Sequence, residues 1–231
     1  MTKDLSNWTP RPKPERIVLN GRYVRLEPLS AAKHGDGLYA MAIDTAAADR
    51  FRWLFDEVPG SRAEFDVWLH KVEMSEDPLF YAVVDQHTNE AIGRQTLMRI
   101  DTNFGVIETG NIHWGPKMQR SQRSTEAMFL HAQYIFDVLG YRRFEWKCND
   151  NNVPSKVAAL RFGFSFEGLF RNHMVAKGAN RDTAWYAMID DDWPVIKQAF
   201  ERWLHPDNFD SNGQQIERLD AIREKIHGGQ A

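Results

Sequence analysis

The stretch Gly115-Pro-Lys-Met-Gln-Arg-Ser-Gln-Arg-Ser-Thr-Glu-Ala127 holds the densest set of groups in this chain able to grip a phosphate. It follows an apolar run, Val106 to Trp114, and leads into an amphipathic stretch, so a strand, a polar loop and a helix are expected in that order. Such a connection points several backbone N–H groups and the positive end of the helix dipole at one spot, which suits a diphosphate. Arg120 and Arg123 add charge, and Gln119, Ser121, Gln122 and Ser124 add hydrogen-bond donors. A solvated strand-to-helix connection has the same composition, so the loop alone does not decide between the two.

Other reactive side chains flank this loop. Upstream, the strand carries Glu108, Thr109, Asn111 and His113. Strand alternation places Asn111 and His113 on the side of Thr109, opposite Glu108. Glu108 and His113 are candidate bases, and each also has a plain reading, as an exposed glutamate and a packed histidine. Glu126 falls in the first helical turn, where the dipole stabilises a carboxylate and a structural role is sufficient. Downstream, Asn149-Asp-Asn-Asn-Val-Pro-Ser155 precedes another helix, with Asn152 as its cap and Pro154 in its first turn. Farther on, Arg171, Asn172 and His173 face Arg181, Asp182, Thr183 and Trp185 across an expected hairpin. A polar cluster flanked by aromatics suits a substrate mouth, and a hairpin tip is equally often just solvated.

The elements that must position these groups follow from periodicity and punctuation. Tyr23–Leu29 alternates as a strand, and Ser30 opens a helix to about Ile43. Ser61-Arg-Ala-Glu64 is a capping box, with Phe65, Trp68, Leu69 and Val72 at helical spacing behind it. Leu79–Asp85, Ala91–Ile100 and Val106–Trp114 read as strands joined by turns at His87–Glu90 and Asn103–Gly105. A helix from Ser124 ends at Gly140, a C′ glycine. Phe144, Trp146 and Cys148 then alternate with Arg143, Glu145 and Lys147, as in a strand with one apolar face. Phe164–Ala176 and Thr183–Ile189 form a hairpin around Lys177–Asn180, Asp192 opens a helix through Leu204, and a last helix is expected over Gln214–Ile226. Residues 1–18 read as a mobile or surface-draped arm, 19–205 as the domain and 206–231 as a tail. Strands and helices in this order imply an α/β fold with a mixed sheet flanked by helices.

Three ordered segments resemble the GNAT acyltransferase superfamily: the loop at Gln119–Ser124, the strand at Tyr141–Cys148, and the Asn152-Val-Pro-Ser155 turn with its short helix closing on Phe162-Gly-Phe164. The resemblance spans roughly residues 20–190 and is nearest the branch containing ribosomal-protein N-terminal acetyltransferases. The family's pyrophosphate pattern, Gln/Arg-x-x-Gly-x-Gly/Ala, falls on Gln119, Gln122 and Ser124, so Gln122 stands where the family has glycine. The resemblance implies a mostly antiparallel sheet of about seven strands, splayed between Val106–Trp114 and Tyr141–Cys148 to admit the pantetheine arm. It implies acetyl-coenzyme A as co-substrate, held by Met118, Gln119, Arg120, Ser121, Gln122, Arg123, Ser124, Asn152 and Ser155. It further implies direct attack of a primary amine on the thioester, with Glu108 as base and the Ser155 hydroxyl near the leaving sulfur. Tyr141 and Tyr186 are alternative acids. Arg171, His173, Asp182 and Trp185 are candidate acceptor contacts, and Trp53, Phe55 and Trp68 lie in the region that walls the family's acceptor groove, although helical spacing favours core for Trp68.

Composition narrows the alternatives. With 231 residues, 42% hydrophobic and 26% charged, the chain suits an ordinary globular enzyme domain. A net charge of −3 gives no nucleic-acid footprint. The single cysteine, Cys148, excludes an internal disulfide framework and fits a reducing compartment. Neither a span of roughly 18 apolar residues nor a signal peptide occurs, so a cytoplasmic protein without a membrane partner is expected. No P-loop, dinucleotide fingerprint, zinc-ligand spacing or nucleophile elbow is present, and no metal is expected. The expected acceptor is a small-molecule amine or a peptide N-terminus, and the expected assembly a monomer or homodimer. The alternative is a non-catalytic acyl-coenzyme A-binding module of the same fold.

Overall fold

The computed structural model describes residues 3–229; the outermost residues of the expected arm and tail, 1–2 and 230–231, lie outside the described residues. The centre of the sheet is set by β3 (Leu79–Asp85), whose seven residues are all buried, so both of its faces need cover. Around it the strands run β1 (Leu19–Asn20), β2 (Val24–Pro28), β3, β4 (Ala91–Asp101), β5 (Val106–Trp114), β6 (Arg143–Asn149), β8 (Ala179–Ile189) and β7 (Ser165–Ala176). Every neighbouring pair is antiparallel except β5–β6. Eight strands are present because the two-residue β1 pairs with β2 at the end of the expected arm.

One face is covered by α1 (Ala31–Ala42), α2 (Ala47–Phe51) and α3 (Arg62–Glu73), with Leu38, Phe51, Phe65, Leu69 and Phe80 in a compact cluster. The Ser61 side chain caps α3 by accepting from the Glu64 N–H, as its capping box requires. The larger core lies on the other face, under α4 (Gln122–Gln133), α5 (Val153–Phe162), α6 (Trp193–Leu204) and α7 (Leu219–Gly228). It contains Val83, Ile107, Phe144, Trp146, Met128, Phe162 and Phe200. The helix α4 widens into a π turn over Tyr134–Val138 before Gly140, whose φ of +67° ends it as the sequence requires.

Several boundaries differ from expectation; β6, for one, starts at Arg143, two residues after Tyr141. The helix α4 starts at Gln122, two residues before Ser124. The strand β8 starts at Ala179, so the turn shrinks to Lys177-Gly178. The last helix begins only at Leu219, because residues 214–217 are held extended against Asn208 and Asp210. The N-terminal segment crosses the β4–β5 turn and the strand ends beside it: the Arg11 N–H donates to the Thr102 carbonyl, Tyr141 donates to the Pro12 carbonyl, Tyr81 donates to the Glu15 carbonyl, and the Glu15 N–H donates to the Tyr134 hydroxyl.

Candidate active site

The parallel pair β5–β6 keeps register only from Val106 opposite Arg143 to Thr109 opposite Trp146. Beyond that rung β5 continues beside β4 and β6 beside β8, so the facing edges of Gly110–Trp114 and Lys147–Asn149 are left without strand partners. They enclose a cleft of about 480 Å³. A bulge accompanies the divergence. Gly110 opposes Thr96 and His113 opposes Arg94, so β5 carries one residue more than β4 between these rungs. Asn111 takes φ +49° there, and its side-chain oxygen accepts from Arg94.

The extra residue reverses the alternation. Met98 opposes Glu108 and Arg94 opposes His113, and cross-strand partners share a face. His113 therefore lies on the face of Glu108, opposite Thr109, which corrects the expectation from strict period two. His113 packs against the Phe51 ring and accepts from Arg50 Nε at 3.4 Å. Burial first, then the nearby Arg94 and Arg50 charges, push it down to about 3. It is neutral at physiological pH and its Nε2 is occupied, which argues against a role as base.

At the loop end of the cleft, Gln119 lines the wall. Met118 is fully buried, so only its backbone is available to a ligand. Arg120 is exposed, with φ +51°, the left-handed region that favours glycine. The conformation for which a glycine would be suited thus sits at Arg120, while Gln122 is an ordinary first helical residue. Ser121 is the N-cap of α4, but its hydroxyl donates to the Met118 carbonyl at 2.9 Å and does not cap the helix. The first-turn N–H groups of Gln122, Arg123 and Ser124 thus have no side-chain cap. Arg123 pairs with the buried Asp85, which also accepts from the His87 and Thr88 N–H groups. Its charge is committed to that turn.

Deeper in, Asn152 Oδ1 accepts from the Ser155 N–H at 3.2 Å and so caps α5. Ser155 Oγ accepts from Trp146 Nε1 at 3.0 Å, which leaves its own proton free to be donated. Cys148 lies beside it, its thiol pushed up by burial. Tyr186 shares the core face with Trp146 through their rung, and burial raises it. Tyr141 is turned away to Pro12 and pushed up to about 12 by burial.

Glu108 is buried in the cleft wall, where its Oε2 takes both Arg99 Nη1 at 2.7 Å and Lys147 Nζ at 2.8 Å. Lys147 also pairs with Glu145 at 2.6 Å and lies 3.7 Å over the Trp185 ring. Glu126 lies outside this cleft. Its carboxylate accepts from the Arg22, Tyr23 and Val24 N–H groups at 2.6–2.7 Å and pins the β1–β2 turn onto α4.

The opposite wall comes from α2 and the loop behind it, through Arg50, Trp53, Leu54 and Phe55. Trp68 instead packs with Phe65 and Phe80. Of the hairpin residues, Arg171 is exposed on β7, His173 bonds Thr183 Oγ1 at 3.0 Å, and Asp182 accepts from Asn172 and Asn180. Trp185 is stacked on Phe170 with ring centroids 4.4 Å apart. None of these four lines the cleft; Arg181 does. Sequence reasoning names Arg181 only within the hairpin's polar cluster and does not assign Arg99 or Lys147 to a site, because the three reach one cleft from strands far apart in the chain. Among the described residues, no group of His, Cys, Asp or Glu is placed to hold a metal, and no helix is long and apolar enough to cross a membrane.

A mixed sheet opened between its parallel strands, with an uncapped helix N-terminus at the mouth, is the architecture of an N-acetyltransferase fold. Residues 24–165 match the acetyltransferase (GNAT) domain model, and the chain belongs to that family. It is similar to a GCN5-related N-acetyltransferase from Brucella melitensis, with 58% identity, a TM-score of 0.94, and coverage of 95% of this chain and 100% of that one. An uncharacterized N-acetyltransferase, p20, of Bacillus licheniformis is 28% identical over 113 residues, 47% of this chain and 61% of that protein. The microcin C7 self-immunity acetyltransferase MccE, solved with acetyl-CoA and AMP, shares the fold at 18% identity and a TM-score of 0.64, covering 73% of this chain and 93% of that one.

Proposed function

We propose that the protein transfers an acetyl group from acetyl-coenzyme A to a primary amine in a ternary complex, without a covalent enzyme intermediate. The observation that carries the reading is the cleft itself, which joins Gln119, next to an uncapped helix N-terminus, to the Ser155 hydroxyl between unpaired strand edges. The chain's groups fit the donor. The N–H groups at the start of α4, with Arg120 beside them, suit a diphosphate. The free edges of β5 and β6 and the Asn152 side chain suit the amides of a pantetheine arm, and the acetyl-coenzyme A bound in MccE supports the same donor here.

The donor supplies an activated thioester; the chain positions groups around it. Ser155, whose oxygen is held by the Trp146 indole N–H, offers its proton to the departing sulfur and stabilises negative charge there. Glu108, held on the cleft wall by Arg99 and Lys147, takes the amine's proton directly or through a water. An α-amine has a pKa near 8 and a lysine side chain near 10.4, so either acceptor needs that help at neutral pH. A peptide N-terminus, as in the ribosomal-protein branch, and a small amine are the two acceptor forms this mechanism accommodates.

Thiol release from acetyl-coenzyme A, followed against peptides, amino acids, polyamines and aminoglycosides, tests the reading. Amine-dependent release is expected, with a rate that rises with pH and a lower limb that flattens in Glu108→Gln. Calorimetric binding of acetyl-coenzyme A without turnover on any amine would make the protein a binding module. Acylation of alcohols alone would overturn the acceptor class.

A further inference from the structure

The cleft holds a buried cation whose charge the fold leaves uncompensated. Arg181 is only 9% exposed, yet its guanidinium makes no hydrogen bond or ion pair among the described residues, and its Nε is a buried donor without a partner. Its neighbour is the face of Phe55, 5.1 Å from the guanidinium carbon. The other cations of this region are matched. Arg50 pairs with Asp44, Arg94 with Asp56, Arg99 with Glu108, and Lys147 with Glu108 and Glu145. Glu108 is near enough to favour the charged form of Arg181, but its Oε2 is already shared by two cations. Burial acts against that charged form. A buried, uncompensated charge is costly to a fold, so its retention calls for an occupant that is not part of the fold.

The side of the sheet identifies which occupant. Arg181, Thr183 and Trp185 share one face of β8 at successive i+2 positions, and Trp185 opposes Lys147, whose partner is Glu108. Arg181 therefore belongs to the face covered by α2 and Phe55. The start of α4, where a diphosphate fits, is on the other face. This separates Arg181 from the donor's phosphates and places it with the acceptor.

Building on the acetyl-transfer reading, we propose that Arg181 binds a carboxylate of the acceptor, and that the substrates are small amines bearing a carboxylate, of the α-amino acid type. A guanidinium presents a planar fork of N–H donors that matches a carboxylate through two parallel hydrogen bonds. The match is also one of charge. A single unpaired cation beside Glu108 balances one negative charge, whereas a phosphate dianion would leave an excess in a buried site. Polyamines and aminoglycosides, which bring further positive charge to Arg181, are disfavoured.

Binding is measured by calorimetry in the presence of coenzyme A, which has no acetyl group to transfer, so the result does not depend on turnover. The probes are a panel of α-amino acids, their carboxamides, and aminoalkyl phosphates, titrated into wild type, Arg181→Met and Arg181→Lys. In wild type at least one amino acid should bind roughly tenfold or more tightly than its carboxamide and than any aminoalkyl phosphate. That preference should vanish in Arg181→Met, with carboxamide affinity unchanged, and return in part in Arg181→Lys. Removing the uncompensated charge should also leave the melting temperature of ligand-free Arg181→Met equal to wild type or higher. Equal affinity for acid and amide across the panel, a preference that survives in Arg181→Met, or tighter binding of the phosphates overturns the assignment. A lower melting temperature does too, because it would show the guanidinium to be satisfied within the fold. If amino acids bind through Arg181 but thiol release never occurs, this assignment stands and the transfer reading fails.

Discussion

Ser155→Ala separates the proposed chemistry from the scaffold, because the structural role of Ser155 and its proposed role at the leaving group use different atoms. Its backbone N–H is the one capped by Asn152, and that contact survives the substitution. Its hydroxyl accepts from Trp146 Nε1 at 3.0 Å and has a proton left over. A hydrogen bond to a charged group contributes about 1.5–3 kcal/mol. Loss of that stabilisation at the leaving thiolate should lower kcat by roughly 10- to 150-fold. The cost to the fold comes from the stranded indole N–H, about 1–2 kcal/mol. In a chain of this size that lowers Tm by roughly 2–8 °C, leaving the protein folded at 25 °C. The assay is thiol release at saturating donor and acceptor, with coenzyme A affinity measured separately by calorimetry and expected to stay within about threefold. Trp146→Phe removes the donor that orients the hydroxyl. It should lower kcat less, and combined with Ser155→Ala should add little further, since both changes act through one proton. A kcat within twofold of wild type in Ser155→Ala, or an affinity loss as large as the rate loss, would refute this account of the leaving-group end.

Arg120→Ala should weaken coenzyme A binding, more so at low salt, while Arg123→Ala should chiefly lower Tm, by stranding the buried Asp85 carboxylate; calorimetry and a thermal melt on both variants check this division. Gln122→Gly should change coenzyme A affinity by less than about threefold, since that residue already has helical geometry. Glu126→Ala strands three backbone N–H groups and should cost at least about 3 kcal/mol, a Tm drop of roughly 6–12 °C, with no specific effect on KM. His113 and His131 are held down to about 3 by burial, whereas the unfolded chain takes up those protons near 6.5. Stability is therefore full above about pH 6.5 and falls as pH drops toward 3, by about 1.4 kcal/mol per histidine at pH 5.5. Denaturant midpoints at pH 7.5 and 5.5 measure the slope, and His131→Leu should make it shallower.

The sequence made the scaffold legible wherever one residue pattern had one structural meaning. The run Val106–Trp114 has the observed ends of β5, and Ser61 with Glu64 marks the start of α3. Pattern failed where backbone geometry changed the count. The extra residue at Asn111 has no compositional signature, yet it sends His113 to the other face. The start of β8 was missed because Ala179-Asn-Arg-Asp182 is too polar to show alternation, although it pairs with β7 through Arg181 opposite Met174. Asn152 was legible as the cap of α5, while Ser155 was named through the family resemblance; both line the cleft because they share the first turn of that helix. Arg181 was visible as a member of a polar cluster, but a cluster does not reveal which member is left without a partner.

The N-terminal segment carries a consequence for the order in which the molecule is assembled. Lys3 pairs with Asp190 and Asp191 across almost the entire chain, and Pro12 and Glu15 receive the hydroxyls of Tyr141 and Tyr81. These N-terminal residues thus find all their partners only when β6 and the turn after β8 have been made. Contacts of such sequence separation carry the largest loop-closure entropy and are expected to form late. The segment then acts as a latch on a completed sheet. Its amides should exchange with solvent before those of β3 do, and opening it would uncover the three tyrosines while the cleft between β5 and β6, at the opposite end of β5 from the turn the segment covers, stays assembled.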